Sequence, residues 1–197
     1  NDNGEIPTDL IELYAKVAEA QSLIPSEVLV GSNTEAMGQE TAENQQKDQQ
    51  LEEQLRKVRA NLKSQIDQGL ANVERVGDQI LVQLSTQDSF RSGFAELEAT
   101  FLPTLAALGE TISELGSKVT ISGHTDNIPI AFSERFLSNW DLSAARAAAV
   151  ADFLIQDNAV AENRIDVVGF ADTKPIASNT TPLGRSQNRR IEILIDS

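Results

Sequence analysis

The spacing of apolar side chains changes repeatedly along residues 76–196, and this change limits the folds open to the chain. Alternating apolar residues predict four strands, whereas apolar residues at every third or fourth position predict two helices. The strands are predicted at 77–85, 119–123, 165–170 and 190–195, and the helices at 96–116 and 142–156. The order β-α-β-α-β-loop-β predicts an α/β (α+β) two-layer sandwich, a mixed sheet with helices on one face.

Helix-end signals sharpen the two helical predictions. Pro103 is tolerated only in a first turn or at a kink, so the first helix should begin near Thr100. Gly116 is a plausible C-terminal cap for it. Asp141 is well placed to be the N-cap of the second helix.

The first 50 residues have a different composition. They contain ten acidic side chains against two lysines, and residues 38–50 are almost entirely polar. Such a segment buries too little apolar surface to offset its ordering entropy. We therefore expect residues 1–50 to be an acidic, partly disordered linker, with 25–48 a linker or a loose helix and a short amphipathic stretch at 10–18.

Between this linker and the predicted sandwich, one narrow apolar stripe indicates a helix. The stripe recurs at helical spacing in Leu51, Leu55, Val58, Leu62 and Ile66. It either packs against its own domain or forms the seam of a dimer. The predicted division is thus a linker at 1–50, a helical dimer or linker segment at 51–75, and a sandwich domain at 76–197.

Composition excludes several classes of function. The chain has 16 Lys and Arg against 30 Asp and Glu, a net charge of −14, which argues against a nucleic-acid partner. It contains no cysteine and one histidine, His124, which disfavours thiol chemistry and a His-rich metal site. No nucleophile–base pair is evident. We expect no catalytic residues, no cofactor, no metal and no enzymatic activity.

Two opposite charges are predicted to lie at one edge of the sheet. Asp126 follows the second predicted strand, and Arg146 lies in the first turns of the second predicted helix. A cation near a helix N-terminus opposes the helix dipole, so an anion should offset it. That anion is either Asp126, in an internal salt bridge, or the carboxylate of a bound ligand.

Four motifs carry a family resemblance. They are Gly123-His-Thr-Asp126, Asn139-x-x-Leu-Ser-x-x-Arg-Ala147, Gly169-Phe-Ala-Asp-Thr-Lys-Pro175 and Asn188-Arg-Arg190. In this order, across about residues 76–196, they resemble the OmpA-like peptidoglycan-binding domain. The resemblance implies that Asp126 binds the ammonium and Arg146 the carboxylate of the diaminopimelate in the peptide stem. It also implies that Thr125, Asn139, Leu142 and Arg189 line the same groove.

Within that superfamily, further segments resemble the flagellar stator subunits MotB and PomB. They are residues 138–146, the turn 127–130 and residues 90–97, although Arg91 and Phe94 depart from the expected small residues or proline. The resemblance implies a non-catalytic periplasmic anchor that attaches an ion-driven motor to the wall.

The implied partners are peptidoglycan, a second copy of the chain, a membrane subunit of the MotA/PomA type and, as further candidates, flagellar ring proteins. The implied location is the periplasm, as part of a single-pass inner-membrane protein whose membrane helix is absent from this sequence. The alternatives are a constitutive outer-membrane anchor of the OmpA or Pal type and a stator of another ion-driven envelope machine.

Overall fold

The computed structural model describes residues 26–87, 89–91, 93–130, 135–158 and 160–196, with side chains from residue 44 onward except those of 157 and 158. The chain divides into two compact units, residues 1–46 and 47–197. The second unit carries the sheet. The amphipathic stretch predicted at 10–18 lies outside the described residues.

Helices and strands are interspersed along the described residues. The helices are α1 (Ser26–Asn61), α2 (Lys63–Asp67), α3 (Leu102–Leu115), α4 (Asn139–Asn158) and α5 (Pro182–Asn188). The strands are β1 (Ala71–Val76), β2 (Gln79–Ser85), β3 (Val119–His124), β4 (Ile165–Ala171) and β5 (Arg190–Asp196). None of the helices within these described stretches combines the length and apolar character of a membrane span.

The strands form one mixed sheet in the order β1-β2-β5-β3-β4. Every neighbouring pair is antiparallel except β3 and β4, which are parallel. Alternate residues of the central strands, such as Ile80, Ile121 and Ile193, are fully buried on one face and share a core with the helices. The predicted two-layer architecture with a mixed sheet is confirmed.

The prediction of a helical segment over residues 51–75 is wrong in its last part, because strand β1 begins at Ala71. Helix α1 ends at Asn61, and after the short α2 the chain turns into a hairpin with β2. Gly77 has a φ of 61° at the first of the two turn residues, a conformation that favours glycine. Strand β1 buries only Ala71 and Val73. An alternation of buried and exposed residues that includes only two buried positions is too weak to be recognised after a long helical pattern.

The apolar stripe of α1 packs inside its own domain. Leu51, Leu55, Val58 and Leu62 are at most 4% exposed and belong to the same core cluster as the sheet. Arg59 also donates to the carbonyl of Val73 through Nε (3.2 Å) and Nη2 (3.0 Å). Of the two alternatives, packing against the domain is therefore the one observed, and residues 47–75 join the compact unit that was predicted to begin at 76.

Two glycines allow α4 to lie directly on the sheet. A Cβ on Gly123 would lie 2.0 Å from the Ser143 carbonyl oxygen, and a Cβ on Gly169 would lie 2.7 Å from the Ala144 nitrogen. Both neighbours are main-chain atoms of α4, so no side-chain rotation can relieve the overlap. The close approach fixes the depth at which the first turns of α4 meet the carboxyl end of β3.

Several predicted boundaries change. Helix α3 begins at Leu102 and ends at Leu115, and Gly116 is its C-cap with a left-handed φ of 70°, close to the prediction. Helix α4 begins at Asn139, so Asp141 is not its N-cap. Instead Ser138 Oγ accepts from the Asp141 amide (3.2 Å), and Asp141 Oδ2 accepts from the Leu137 amide (3.1 Å), an arrangement akin to a capping box. Residues 26–50 are helical, and α5 interrupts the predicted final loop.

Candidate ligand-binding cleft

All six residues predicted for the site line one open cleft of about 600 Å³. Thr125 and Asp126 follow β3, and Arg189 lies between α5 and β5. The first turns of α4 supply Asn139, Leu142 and Arg146. The carboxyl end of a strand and the N-terminus of a helix meet here, as in many α/β ligand sites.

Asp126 forms an ion pair with Arg189. Arg189 Nη1 donates to Asp126 Oδ2 at 2.6 Å, and the amide of Ile128 donates to Oδ1 at 3.0 Å. The Asp126 side chain is only 9% exposed. The predicted alternative of an internal salt bridge between Asp126 and Arg146 is therefore wrong, because Arg189 has taken that position.

Asn139 supports the loop that carries Asp126. Its Nδ2 donates to the carbonyl oxygens of Asp126 (3.2 Å) and Ile128 (3.1 Å). These bonds hold the turn against α4, so that the Ile128 amide stays directed at the Asp126 carboxylate. Asn139 thus positions the acidic group as well as lining the cleft.

Arg146 is a buried cation with no carboxylate partner among the residues that the structure describes. It is 5% exposed. Its Nε donates to the Phe94 carbonyl (2.9 Å) and its Nη2 to the Arg91 carbonyl (3.4 Å), and its guanidinium carbon lies 5.2 Å from the centre of the Phe90 ring. Within the described parts of the chain, no acidic side chain lies within ion-pair distance of it, and Nη1 makes no hydrogen bond.

The electrostatics of Arg146 follow from this arrangement. Burial lowers the pKa of Arg146 to about 10, and the nearby charge of Arg189 contributes to the decrease, although Asp126 opposes it. The guanidinium remains charged at neutral pH. A buried cation held only by carbonyl dipoles and an aromatic face is costly unless an anion approaches it.

The described lining of the cleft therefore has a surplus of positive charge. Its charged lining, as far as the chain is described, consists of two guanidinium groups and one carboxylate. The other lining groups are mainly apolar and include Phe90, Ile128 and Leu142. A ligand with an unshared carboxylate next to a short apolar stem would match both the charge and the walls.

Two contacts that the sequence did not predict fix the cleft. Both the amide and the Oγ of Thr86 donate to the Arg189 carbonyl, at 3.1 and 3.0 Å. Because β2 pairs with β5 so that Ser85 lies opposite Arg190, Thr86 falls opposite Arg189. A correct pairing of the first and last predicted strands was the only signal that could have placed Thr86 here.

The end of β4 holds the other side of the cleft. Ala171 has a φ of 50°, an uncommon conformation for a residue other than glycine. Its amide donates to Ser143 Oγ (3.1 Å), and its carbonyl accepts from the Thr125 amide (2.8 Å). These two hydrogen bonds connect the end of β4 to α4 and to Thr125, the residue that follows β3.

A second group of charges, the sheet-face cluster, lies on the face of the sheet opposite the core. It comprises His124, Gln83, Arg190 and Glu192. Glu192 Oε1 accepts from Arg190 Nε (2.7 Å) and Gln83 Nε2 (3.1 Å), while His124 Nε2 lies 3.3 Å from Oε2 without hydrogen-bond geometry. Burial raises the pKa of Glu192, but contacts with His124 and Arg190 outweigh burial and lower the pKa to about 2.

His124 is buried on this face of the sheet and packs against an aromatic ring. It is 2% exposed and stacks on Phe170, with ring centroids 5.2 Å apart. It is the last residue of β3. Among the described residues, no group of three or more His, Asp or Glu is placed to hold a metal ion.

With this fold and this cleft, comparison with known proteins is informative. The OmpA family model matches residues 89–189, and the chain belongs to the OmpA family. Within that family it is similar to Motility protein B of Bacillus subtilis, with 34% identity over 148 residues, 68% of this chain and 55% of the relative. It is also similar to the peptidoglycan-binding protein ArfA of Mycobacterium tuberculosis, with 48% identity over 80 residues, 41% of this chain and 23% of the relative.

Solved structures agree with this assignment. The cell wall anchor of the T6SS from Pseudomonas aeruginosa aligns with a TM-score of 0.67 and 34% identity over 71% of this chain and 96% of its own. The periplasmic domain of MotB aligns with a TM-score of 0.59 and 25% identity over 64% of this chain and 68% of its own. The resemblance to the MotB branch of the OmpA-like domains is confirmed.

Proposed function

We propose that the chain is a peptidoglycan-binding wall anchor and that the cleft holds the diaminopimelate of a peptide stem. The observation that carries this proposal is Arg146, a buried guanidinium with an unbonded Nη1 and no acidic partner among the described residues. A stem carboxylate provides the missing anion. Relatives named as peptidoglycan-binding or cell wall anchor proteins support this ligand.

The other five residues have supporting roles in this proposal. Leu142 provides an apolar wall for the stem, whereas Thr125 and Asn139 keep the loop of Asp126 in place. Asp126 is the group that the stem ammonium approaches, with Arg189 already paired to it. Binding of this kind requires no bond to break, so we expect no catalysis and no cofactor.

We further propose that the anchor serves an ion-driven flagellar stator. The similarity to Motility protein B supports this role. In this role the domain lies in the periplasm, as part of a single-pass inner-membrane protein. The partners are a membrane subunit of the MotA/PomA type, flagellar ring proteins and a second copy of the chain. Because the stripe of α1 is used inside the domain, a dimer would need another surface.

Anchoring in another envelope machine is the second candidate, and the similarity to the T6SS anchor favours it specifically. A constitutive anchor of the OmpA or Pal type is the remaining alternative. A chimera distinguishes these roles. The chain is joined to the membrane segment of Bacillus subtilis Motility protein B and expressed in cells that lack that protein. Restored swimming supports the stator role, whereas a chimera that accumulates and binds the wall without restoring swimming contradicts it.

Wall binding itself is tested by sedimentation with insoluble peptidoglycan. Arg146→Gln removes the unshared guanidinium, and we expect binding to weaken by about a hundredfold or more. Arg56→Gln, at an exposed position on α1, is the matched control and should sediment as the parent does. Equal sedimentation of the parent and the Arg146→Gln variant, with circular dichroism unchanged, would refute the assignment of the cleft.

A further inference from the structure

The cleft continues past its charged groups to a neutral polar end, where strand β2 finishes. Strand β5 lies between β2 and β3 in the sheet, so the chain that leaves β2 lies on the far side of Arg189 from Asp126. Thr86 and Gln87 line the cleft there. Neighbouring strands are about 4.8 Å apart, which separates the ends of β2 and β3 by about 10 Å. The cleft is therefore wider than the ammonium and carboxylate of one amino-acid group require, because those two groups share one carbon atom.

Three hydrogen bonds hold the main chain that carries Gln87. The amide and the Oγ of Thr86 both donate to the Arg189 carbonyl, at 3.1 and 3.0 Å. The Gln87 amide donates to Ser85 Oγ at 3.3 Å. The direction in which the Gln87 side chain leaves β2 is therefore set by the same strand pairing that places Arg189.

The Gln87 side chain is anchored through its oxygen and not through its nitrogen. Oε1 accepts from Ser186 Oγ on α5 at 3.1 Å, whereas Nε2 makes no hydrogen bond with any described residue. Helix α5 is itself capped, because Thr181 Oγ1 accepts from the Gly184 amide at 3.1 Å. An amide that is held by its oxygen presents its two N–H groups in one orientation, so less ordering is needed when a ligand binds.

We propose that Gln87 is a specificity-determining residue that donates through Nε2 to a main-chain carbonyl oxygen of the peptide stem. This inference rests on the proposed function and deepens it, since it adds a contact outside the diaminopimelate. With the charged groups of the diaminopimelate at Asp126 and Arg146, the adjoining main chain of the stem extends toward the end of β2. The cleft thus recognises a peptide rather than the diamino acid alone.

The chemistry of a primary amide fits this role. The nitrogen of a glutamine side chain is a donor only, so its counterpart on the ligand must be an acceptor. A peptide main chain supplies one carbonyl oxygen for each residue, whereas free diaminopimelate has no peptide carbonyl. Because the amide is neutral, this contact leaves the charged groups of the cleft to the ammonium and carboxylate of the diaminopimelate. A neutral hydrogen bond of this kind changes affinity by about fivefold.

NMR titration with two ligands tests the proposal: a stem tripeptide that ends in diaminopimelate, and free diaminopimelate. Gln87→Ala should weaken binding of the tripeptide by about fivefold and change binding of diaminopimelate by less than about twofold. Ser186→Ala keeps the donor and releases only its anchor, so the tripeptide should lose about twofold or less. Gln68→Ala is the matched control, because Gln68 is an exposed glutamine bonded to Ser64 (2.9 Å) that does not line the cleft, and it should change neither affinity.

The outcomes separate this inference from the proposed function. A Gln87→Ala variant that binds the tripeptide as the parent does, or that loses both ligands by the same factor, overturns the role of Gln87. Equal losses in Gln87→Ala and Ser186→Ala overturn it too, because Gln87 would then only brace α5. In each of these cases the wall-binding proposal stands. If the parent binds neither ligand, the proposed function fails and this inference with it.

Discussion

The cleft and the sheet-face cluster both contain arginine and acidic side chains, yet they balance their charges differently. In the sheet-face cluster, Arg190 and Glu192 bond to each other. The remaining guanidinium nitrogens of Arg190 donate to the carbonyls of Asn188 and Lys174. In the cleft, Asp126 is paired with Arg189, and Arg146 has no carboxylate partner in the described parts of the chain. A self-contained set of charges stabilises the fold, whereas a surplus charge at a cleft is available to a ligand.

The same difference exists between two neighbouring residues, Arg189 and Arg190. The first is 35% exposed in its side chain and lies in the cleft, whereas the second is 5% exposed and lies on the other face of the sheet. Successive residues of a strand point to opposite faces, so the boundary between α5 and β5 delivers one arginine to each group. The three predictions that follow test whether stability and binding separate in the same way.

The largest effect is expected from Gly123→Ala, which should disturb both groups together. The added Cβ would lie 2.0 Å from a main-chain oxygen of α4, so the helix must move away from the sheet. We expect a loss of about 4 kcal/mol or more in the free energy of unfolding, measured by urea denaturation, together with loss of wall binding.

Gly116→Ala is the matched control for this substitution. Gly116 has a φ of 70°, but a Cβ added to it would meet no atom within 4 Å, so only backbone strain is expected. That strain should cost about 1 kcal/mol. Wall binding should persist. If Gly123→Ala were no more destabilising than this control, the close approach of α4 to the sheet would not determine the cleft.

The next effect is expected from Glu192→Gln, which should reduce stability without reducing binding. The pKa of Glu192 is lowered from 4.5 to about 2, so its stabilising contribution is complete above pH 4.5 and disappears as the pH falls toward 2. We expect a loss of about 3 kcal/mol at neutral pH, and a smaller difference from the parent at about pH 3, by urea denaturation.

The exposed Glu110 provides the comparison for this carboxylate. Glu110→Gln should change the free energy of unfolding by less than about 0.5 kcal/mol at either pH. Weakened sedimentation of Glu192→Gln with peptidoglycan at neutral pH, in protein shown to be folded, would mean that the sheet-face cluster also contributes to the ligand site.

The smallest effect on stability is expected from Arg146→Gln. Burial lowers the pKa of Arg146 to about 10, which means that its charge is a cost to the folded state. Removing the charge offsets the loss of its bonds to the Phe94 and Arg91 carbonyls. We expect the free energy of unfolding, obtained from thermal denaturation, to change by less than about 1 kcal/mol. A loss of about 3 kcal/mol would instead identify Arg146 as a structural residue.

The sequence predicts the parts of this molecule that have long, regular patterns. Strands β2, β3 and β5 and helices α3 and α4 follow from periodicity, since each contributes several side chains to the core. Strand β4 was also predicted, although Ala171 is its only buried residue. Strand β1 escapes detection because Ala71 and Val73 are its only buried residues. Helix α5 escapes because its seven residues bury only Gly184 and Asn188.

The six residues proposed for the site all line the cleft, but their pairing was not predicted. Strand and helix ends in the sequence pointed to Asp126 and Arg146, whereas the other four were implied only by the family resemblance. The sequence did not predict that Asp126 pairs with Arg189. Arg189 reaches Asp126 because β5 lies between β2 and β3 in the sheet, and local spacing does not reveal this strand order. Local spacing favoured Arg146, whose bonds to Phe94 and Arg91 depend on a loop without a periodic signal.

The burial of α1 has a mechanical consequence. Its stripe lies in the core, and Arg59 and Asn61 connect it to β1 and α3 through bonds to the Val73 carbonyl and Thr111 Oγ1. Arg75 adds contacts to Asp48 and Glu52 farther along the helix. Tension applied along residues 47–61 would load these contacts together, so we expect this part of the helix to resist extension. A force that reaches the domain through this part of the helix is therefore passed directly to the sheet.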